Sequence, residues 1–205
     1  IPIPTGEDKP LMPTSIYAIN KRDQEEMCLR IGIAYGIPTV ALRYFNVYGS
    51  RQALSNPYTG VAAIFSCYLL NGKSPFIFED GLQSRDFIHI SDIVQANMLA
   101  LEKKEADYGV FNVGTGRRLT ILDMANALIN KLNPEIKYTL VNKFREGDIR
   151  HCYADISKIE DKLGFKPKVK FESGVDDLIN WVQCEPAVNK LIKAVNELEI
   201  RGLIK

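Results

Sequence analysis

The stretch IYAINKRDQEEMCLRIGIAYGIPTVALRYF, residues 16 to 45, sets the class of fold. Its apolar residues Met27, Ile31 and Ala34 recur at three- and four-residue spacing, the period of a long amphipathic helix. Pro13, Thr14 and Ser15 lead into that helix, and Gly36 and Pro38 end it, since proline does not continue a helix. Thr39 to Phe45 is then a short β-branched and aromatic run of the kind found in buried strands. A helix passing so quickly into a strand is the alternation of an α/β domain.

The same alternation continues outward. Asn46 to Pro57 lacks periodicity and reads as a loop at the strand's C-terminal end. Gly60 to Leu70 reads as a helix, with Val61, Ile64, Phe65 and Leu69 on one side and Asn71-Gly72 as its stop. Pro75 to Phe78 is a short strand before an Asp80-Gly81 turn. After a polar loop, Ile90 to Leu101 is a helix with Ser91 as its expected cap. Gly109 to Val113 is a strand, Gly114-Thr115-Gly116 a turn, and Thr120 to Leu132 a helix capped by Thr120 with Asp123 three residues on. The last third suggests an edge strand over Ile136 to Val141 and helices over Ile156 to Leu163 and Phe171 to Trp181. A charged terminal helix over Ala187 to Leu198 completes a smaller lobe packed on the sheet.

With 205 residues, 46% apolar and 25% charged, the chain has an ordinary globular composition, enough for one domain with a small lobe. Lys and Arg total 26 against 25 for Asp and Glu, a formal charge of +1 that provides no field for capturing nucleic acid or an anionic membrane. An anion must therefore be held locally. Cys28, Cys67, Cys152 and Cys184 lack zinc-site spacing and read as reduced residues of a cytoplasmic protein. Asp86, His89 and Asp92 lack a diagnostic metal spacing, so no metal is expected, and the first two read as structural hydrogen-bonding residues. No run reaches the ~18 apolar residues of a spanning helix, and the opening residues lack a secretory pattern.

Tyr17 and Lys21 stand four apart at the start of the first helix, so both project from one face. A phenol near an ammonium can pass a proton to or from a hydroxyl, because the cation favours the phenolate. A Y-x-x-x-K string also arises by chance as a half-buried aromatic beside a solvated amine.

The blocks around this pair resemble the extended short-chain dehydrogenase/reductase family, and more narrowly its NAD-dependent nucleotide-sugar epimerases and dehydratases. They are PTSIYAINK at 13 to 21, LRYFNVYG at 42 to 49, QSRDFIHISD at 83 to 92, FNVGTG at 111 to 116 and REGD at 145 to 148. The resemblance implies the C-terminal portion of a doubly wound, Rossmann-like α/β fold. The sheet and helix part would lie at about 14–50 and 90–135, and the substrate-binding part at about 51–89 and 136–205.

It implies bound NAD, with Tyr17 as proton acceptor and donor and Lys21 on the nicotinamide ribose. Tyr44 and Phe45 would line the cofactor. Asn46, Arg51, Gln52 and Phe78 would line a nucleotide-diphosphate sugar, with Arg85 and Arg145 on its phosphates. The expected reaction is epimerisation at C4 of a UDP-sugar, the alternatives being a 4,6-dehydratase or a non-catalytic nucleotide-sugar-binding module. A homodimer around the Tyr17 helix is expected.

Two positions depart from the family pattern: Ser50 stands where proline is usual, and Glu79 where many relatives have glycine. The glycine-rich strand-turn-helix that cradles the dinucleotide is not among the 205 residues, nor is the companion Ser or Thr. The chain therefore reads as a C-terminal fragment, inactive by itself.

Overall fold

The computed structural model describes residues 3–53, 60–141, 143 and 149–184; the terminal helix expected at 187–198 lies outside the described residues. Helix α1, Ile16–Tyr35, opens where expected, with the Ser15 hydroxyl accepting the Ala18 amide at 3.2 Å, and closes at Gly36. The chain then turns back into β1, Ala41–Tyr44.

The apolar stripe read from spacing does not face the sheet. Met27 and Ile31 are 59% and 52% exposed, and Ala34 is exposed too, whereas Gly32 is the one buried residue of α1. The helix approaches its neighbour through that glycine: a Cβ on Gly32 would stand 2.2 Å from Thr39 Oγ1. Periodicity detects a stripe, but it does not say which face packs.

β1 pairs in parallel with β6, Val110–Val113, in the register Ala41↔Val110 to Tyr44↔Val113. Between them the chain builds β2 (Asn46–Tyr48), α2 (Val61–Leu70), β3 (Phe76–Ile77), β4 (Ser84–Arg85), β5 (Phe87–His89) and α3 (Ile90–Glu102). After β6 come β7 (Leu119–Thr120), α4 (Ile121–Leu132), β8 (Thr139–Leu140), α5 (Ser157–Leu163) and α6 (Phe171–Cys184). β2 runs parallel to β5 and β3 to β8, while β4 and β7 are antiparallel. Parallel pairs flanked by helices are the α/β architecture expected.

Several local expectations need correction. β2 opens the stretch read as loop at 46–57, and β4 and β5 interrupt the polar segment after Gly81. These strands are two or three residues long, too short to display a period of two. The cap of α3 is His89, whose ring nitrogen accepts the Ser91 amide at 3.3 Å, so the helix starts at Ile90 and Ser91 lies inside it. Thr120 does cap α4: its hydroxyl takes the Asp123 amide and Asp123 answers on the Thr120 amide, a reciprocal box that contributes about 1 kcal/mol.

Two apolar cores result. One gathers Ile88, Phe111, Val113, Ile159, Leu163 and Phe165 around β5, β6 and α5. The other gathers Phe65, Leu69, Met124, Leu128, Val175 and Leu178 from α2, α4 and α6. Tyr48 joins α6 to β2 and β5: its buried hydroxyl donates to the Phe171 carbonyl at 3.3 Å, and burial pushes its phenol above the usual range. His89 reaches Asp177 of α6 at 3.1 Å. No helix among the described residues is long and apolar enough to cross a membrane.

Asp86, fully buried between β4 and β5, ties distant segments together. Its carboxylate accepts Thr115 N at 2.8 Å, Thr115 Oγ1 at 2.6 Å, Gly116 N at 2.9 Å and Ala154 N at 3.2 Å. Replacing one oxygen by an amide NH2 would set a donor against these donors. We predict that Asp86→Asn lowers the unfolding free energy by about 3 kcal/mol, measured by urea denaturation.

Candidate active site

The reversal between α1 and β1 brings the start of the helix and the C-terminal end of the strand to one side of the fold. In an open α/β sheet that is the side on which ligands are presented. Tyr17 is 72% exposed there, and Lys21 Nζ lies 5.7 Å from the centre of its ring while donating to Gln24 Oε1 at 3.2 Å. The two side chains meet as four-residue spacing requires, with the ammonium over the phenol ring.

Tyr44 ends β1, and its hydroxyl donates to Asn97 Oδ1 at 2.9 Å. Asn97 is itself oriented by an Nδ2 bond to the Ile93 carbonyl at 2.7 Å, so its oxygen faces the tyrosine. Phe45 N–H donates to Val113 O at 3.1 Å and Asn46 N–H to Asp86 O at 2.9 Å. These two residues thus pass the chain from the β1–β6 pair to the β2–β5 pair. Arg51 is exposed in the left-handed region, at φ 65°. Gln52 is half-buried, and its Oε1 is a buried acceptor without a hydrogen-bond partner among the described residues.

The turn after β3 is more elaborate than its sequence suggests. The Phe78 carbonyl accepts Gln83 Nε2 at 2.8 Å, leaving Gln83 Oε1 buried and without a partner among the described residues. Glu79 sits at φ 52°, a left-handed conformation that glycine adopts without cost. Its carboxylate pairs with Arg150, which also holds Asp80 at 2.7 Å. The Arg150 bond and the Leu82 amide hold the Asp80 carboxyl down at about 2.

Arg85, on β4, lays its Nη1 against the carbonyls of Ser84 at 2.9 Å and Arg150 at 3.3 Å. Beside it Ser84 Oγ and His151 Nδ1 are 2.8 Å apart. Partial burial, then Arg150, Arg118 and Arg85, push the His151 imidazole below its ordinary pKa. Arg85, Arg118 and Arg150 thus favour the neutral form of His151 next to the Phe78 turn, where Arg150 itself is paired with Glu79 and Asp80. Arg145 lies outside the described residues.

The fold thus groups Phe78 with Arg85, and Asn46 with the strand ends. Among the described residues no hydrogen bond joins the Tyr17–Lys21 pair to either group. Sequence reading missed the Arg150 clamp and the Ser84–His151 contact because partners about seventy residues apart leave no local pattern. Two surface grooves of about 410 and 200 Å³ run along α1 and beside Phe171, and neither is lined by the expected site residues.

Residues 1–114 match the profile described as the NAD dependent epimerase/dehydratase family. The dTDP-L-rhamnose 4-epimerase of Burkholderia thailandensis is 36% identical over 174 residues, covering 84% of this chain and 47% of its own. The UDP-N-acetylglucosamine 4-epimerase from Methanobrevibacter ruminantium, solved with UDP-N-acetylmuramic acid, superposes with TM-score 0.81 at 39% identity, covering 87% of this chain and 57% of that one. The UDP-glucuronic acid 4-epimerase from Bacillus cereus, solved with UDP-glucuronic acid and NAD, gives TM-score 0.80 at 29% identity, with 89% and 57% covered. The chain spans about half the length of the relatives it matches.

Two stability measurements check this geometry. Glu79→Gly trades a half-exposed ion pair for a relaxed backbone and should change the unfolding free energy by less than about 0.5 kcal/mol, whereas Glu79→Val should cost about 1–2 kcal/mol. For His151, an unfolded histidine titrates near about 6.5 and the folded one lower, so the unfolded chain takes up the proton first. Its stabilisation is complete above about 6.5 and lost as pH falls through the folded pKa. His151→Gln should therefore narrow the gap in Tm between about pH 7.5 and 5.5.

Proposed function

Because this chain belongs to the NAD dependent epimerase/dehydratase family, we propose that the complete enzyme containing it epimerises a nucleotide-diphosphate sugar, at C4 of a UDP-sugar in the cytoplasm. The observation that carries this reading is the Tyr17–Lys21 pair. It stands exposed at the start of α1, ammonium against ring, on the side where the parallel strands end. An ordinary core tyrosine would be buried there.

The residues present fit NAD, which the Bacillus cereus relative holds. Lys21 offers an ammonium for ribose hydroxyls, and Tyr44 and Phe45 offer aromatic surface at the end of β1. When bound, NAD supplies a reversible hydride acceptor. Tyr17 takes the proton of the sugar hydroxyl as its carbon is oxidised and returns it after the keto sugar has presented its other face. Lys21 keeps its ammonium beside the phenol ring during that exchange.

Substrate contacts follow from polarity. Asn46, Arg51 and Gln52 line the sugar, and the unpartnered Gln52 Oε1 is an acceptor suited to a sugar hydroxyl. Phe78 packs beside the base. Arg85 and Arg145 take the diphosphate, because forked guanidinium donors match phosphate oxygens better than ammonium does. The sheet part comprises about 14–50 and 90–135, and the substrate part about 51–89 and 136–205. The outward stripe of Ile16, Met27 and Ile31 on α1 suits a homodimer.

Incubating that complete enzyme with a panel of UDP- and dTDP-sugars, with NMR of the products, tests the reading. Inversion at C4 with unchanged mass is expected, and loss of water would replace it with a dehydratase. Tyr17→Phe should keep most substrate binding and lower turnover by about 100-fold or more. Turnover left near the parent value would reject the role of Tyr17.

A further inference from the structure

Glu25 stands four residues beyond Lys21 and eight beyond Tyr17, on the same side of α1. Its carboxylate takes Arg43 Nε at 2.8 Å and Nη2 at 2.7 Å, a two-pronged bond from helix to strand. Both side chains are largely withdrawn from water, at 18% and 23% exposure. Bonding to Glu25 raises the Arg43 pKa against the opposing pull of burial.

The third guanidinium nitrogen, Nη1, donates to the Glu7 carbonyl at 3.2 Å. Glu7 in turn accepts the Asn112 amide of β6 at 2.7 Å, and Asn112 Nδ2 holds the Thr5 carbonyl at 2.8 Å. Arg43 thus gathers the helix, the β1–β6 pair and the segment that enters the helix.

Among the described residues little else fastens α1. Gly32 is its one buried residue, and its other ion pairs, Arg22–Asp23 and Arg30–Glu26, are exposed and stay within the helix. Such pairs contribute little. The Glu25–Arg43 bond is different, since breaking it would leave a half-buried charge without its counterpart.

We propose that Glu25 and Arg43 are positioning residues of the proton-transfer site: their ion pair fixes the slide and rotation of α1 on β1, and so where Tyr17 and Lys21 stand relative to Phe45 and Asn46. This rests on the reading of Tyr17 given above. Tyr17 is eight residues, about 12 Å, from Glu25 along the helix axis. A tilt of about 5° at Glu25 moves Tyr17 by about 1 Å, a misplacement that can cost about 100-fold in rate.

The test uses the complete enzyme with UDP-glucose as probe, and compares Glu25→Gln, Arg43→Lys and the milder Glu25→Asp with Thr120→Ala, which removes the cap of α4 in the other core. Glu25→Gln and Arg43→Lys should lower kcat by about 10-fold or more with KM within about two-fold, and Glu25→Asp should recover part of the loss. Thr120→Ala should lower Tm and leave kcat unchanged. Amide hydrogen exchange around Tyr17 to Lys21 should accelerate in Glu25→Gln while that of α4 does not, a readout that needs no turnover.

Unchanged exchange at Tyr17 to Lys21, or a kcat loss no larger than that of Thr120→Ala at equal loss of Tm, would overturn the proposal. If Tyr17→Phe is inactive and Glu25→Gln is as fast as the parent, the positioning role alone fails. If Tyr17→Phe retains full turnover, the proton-transfer reading and this inference fail together.

Discussion

The buried carboxylate of Asp86 is the constraint around which the two cores are arranged. A charge withdrawn from water must be met by hydrogen bonds, and here two backbone amides and a hydroxyl of the Thr115-Gly116 turn, together with the Ala154 amide, meet it. Those donors come from beyond the end of β6 and from the strand-like segment at 149–155, so one side chain holds three parts of the chain. The approach is close: a Cβ on Gly114 would stand 2.6 Å from both Asp86 Oδ2 and Ala154 Cβ, so glycine is required there. Asp86 also fixes its neighbours, because its carbonyl takes the Asn46 amide while Arg85 precedes it on β4. The expected sugar and phosphate contacts, Asn46 and Arg85, thus sit on either side of this firmly held residue.

Against this firm region, α1 is lightly attached. It presents an apolar stripe outward, packs on the sheet through Gly32, and is anchored by the Glu25–Arg43 bond. The proposed proton-transfer pair and the proposed substrate contacts therefore lie on elements held by different means. Hydrophobic burial sets the position of α2, α4 and α6, whereas a two-pronged ion pair and Gly32 set that of α1.

Legibility in the sequence followed the range of the interactions. Helices were readable where their signals are local: Ser15 and Gly36 bound α1, and Thr120 with Asp123 begins α4. The two- and three-residue strands at Asn46, Ser84 and Phe87 were not, because their pairing depends on partners far along the chain. The cap of α3 passed from Ser91 to His89 because the histidine ring, not the hydroxyl, reaches the free amide. In the candidate site, the Tyr17–Lys21 contact follows directly from helical spacing. The Glu79–Arg150 clamp, the Ser84–His151 contact and the Glu25–Arg43 tie join residues that no spacing rule connects. Arg85 stands in one of the ordered blocks of the family resemblance, and folding sets it beside the Phe78 turn through Gln83 and Arg150.

The central claim is that a hydride leaves and returns to the same sugar carbon while Tyr17 carries the proton. The most direct measurement is turnover by the complete enzyme of UDP-glucose deuterated at C4, followed by NMR of the product in ordinary water. The account predicts a product inverted at C4 that retains deuterium at that carbon. Inversion with the label replaced by solvent hydrogen, or a product lacking water, would contradict it.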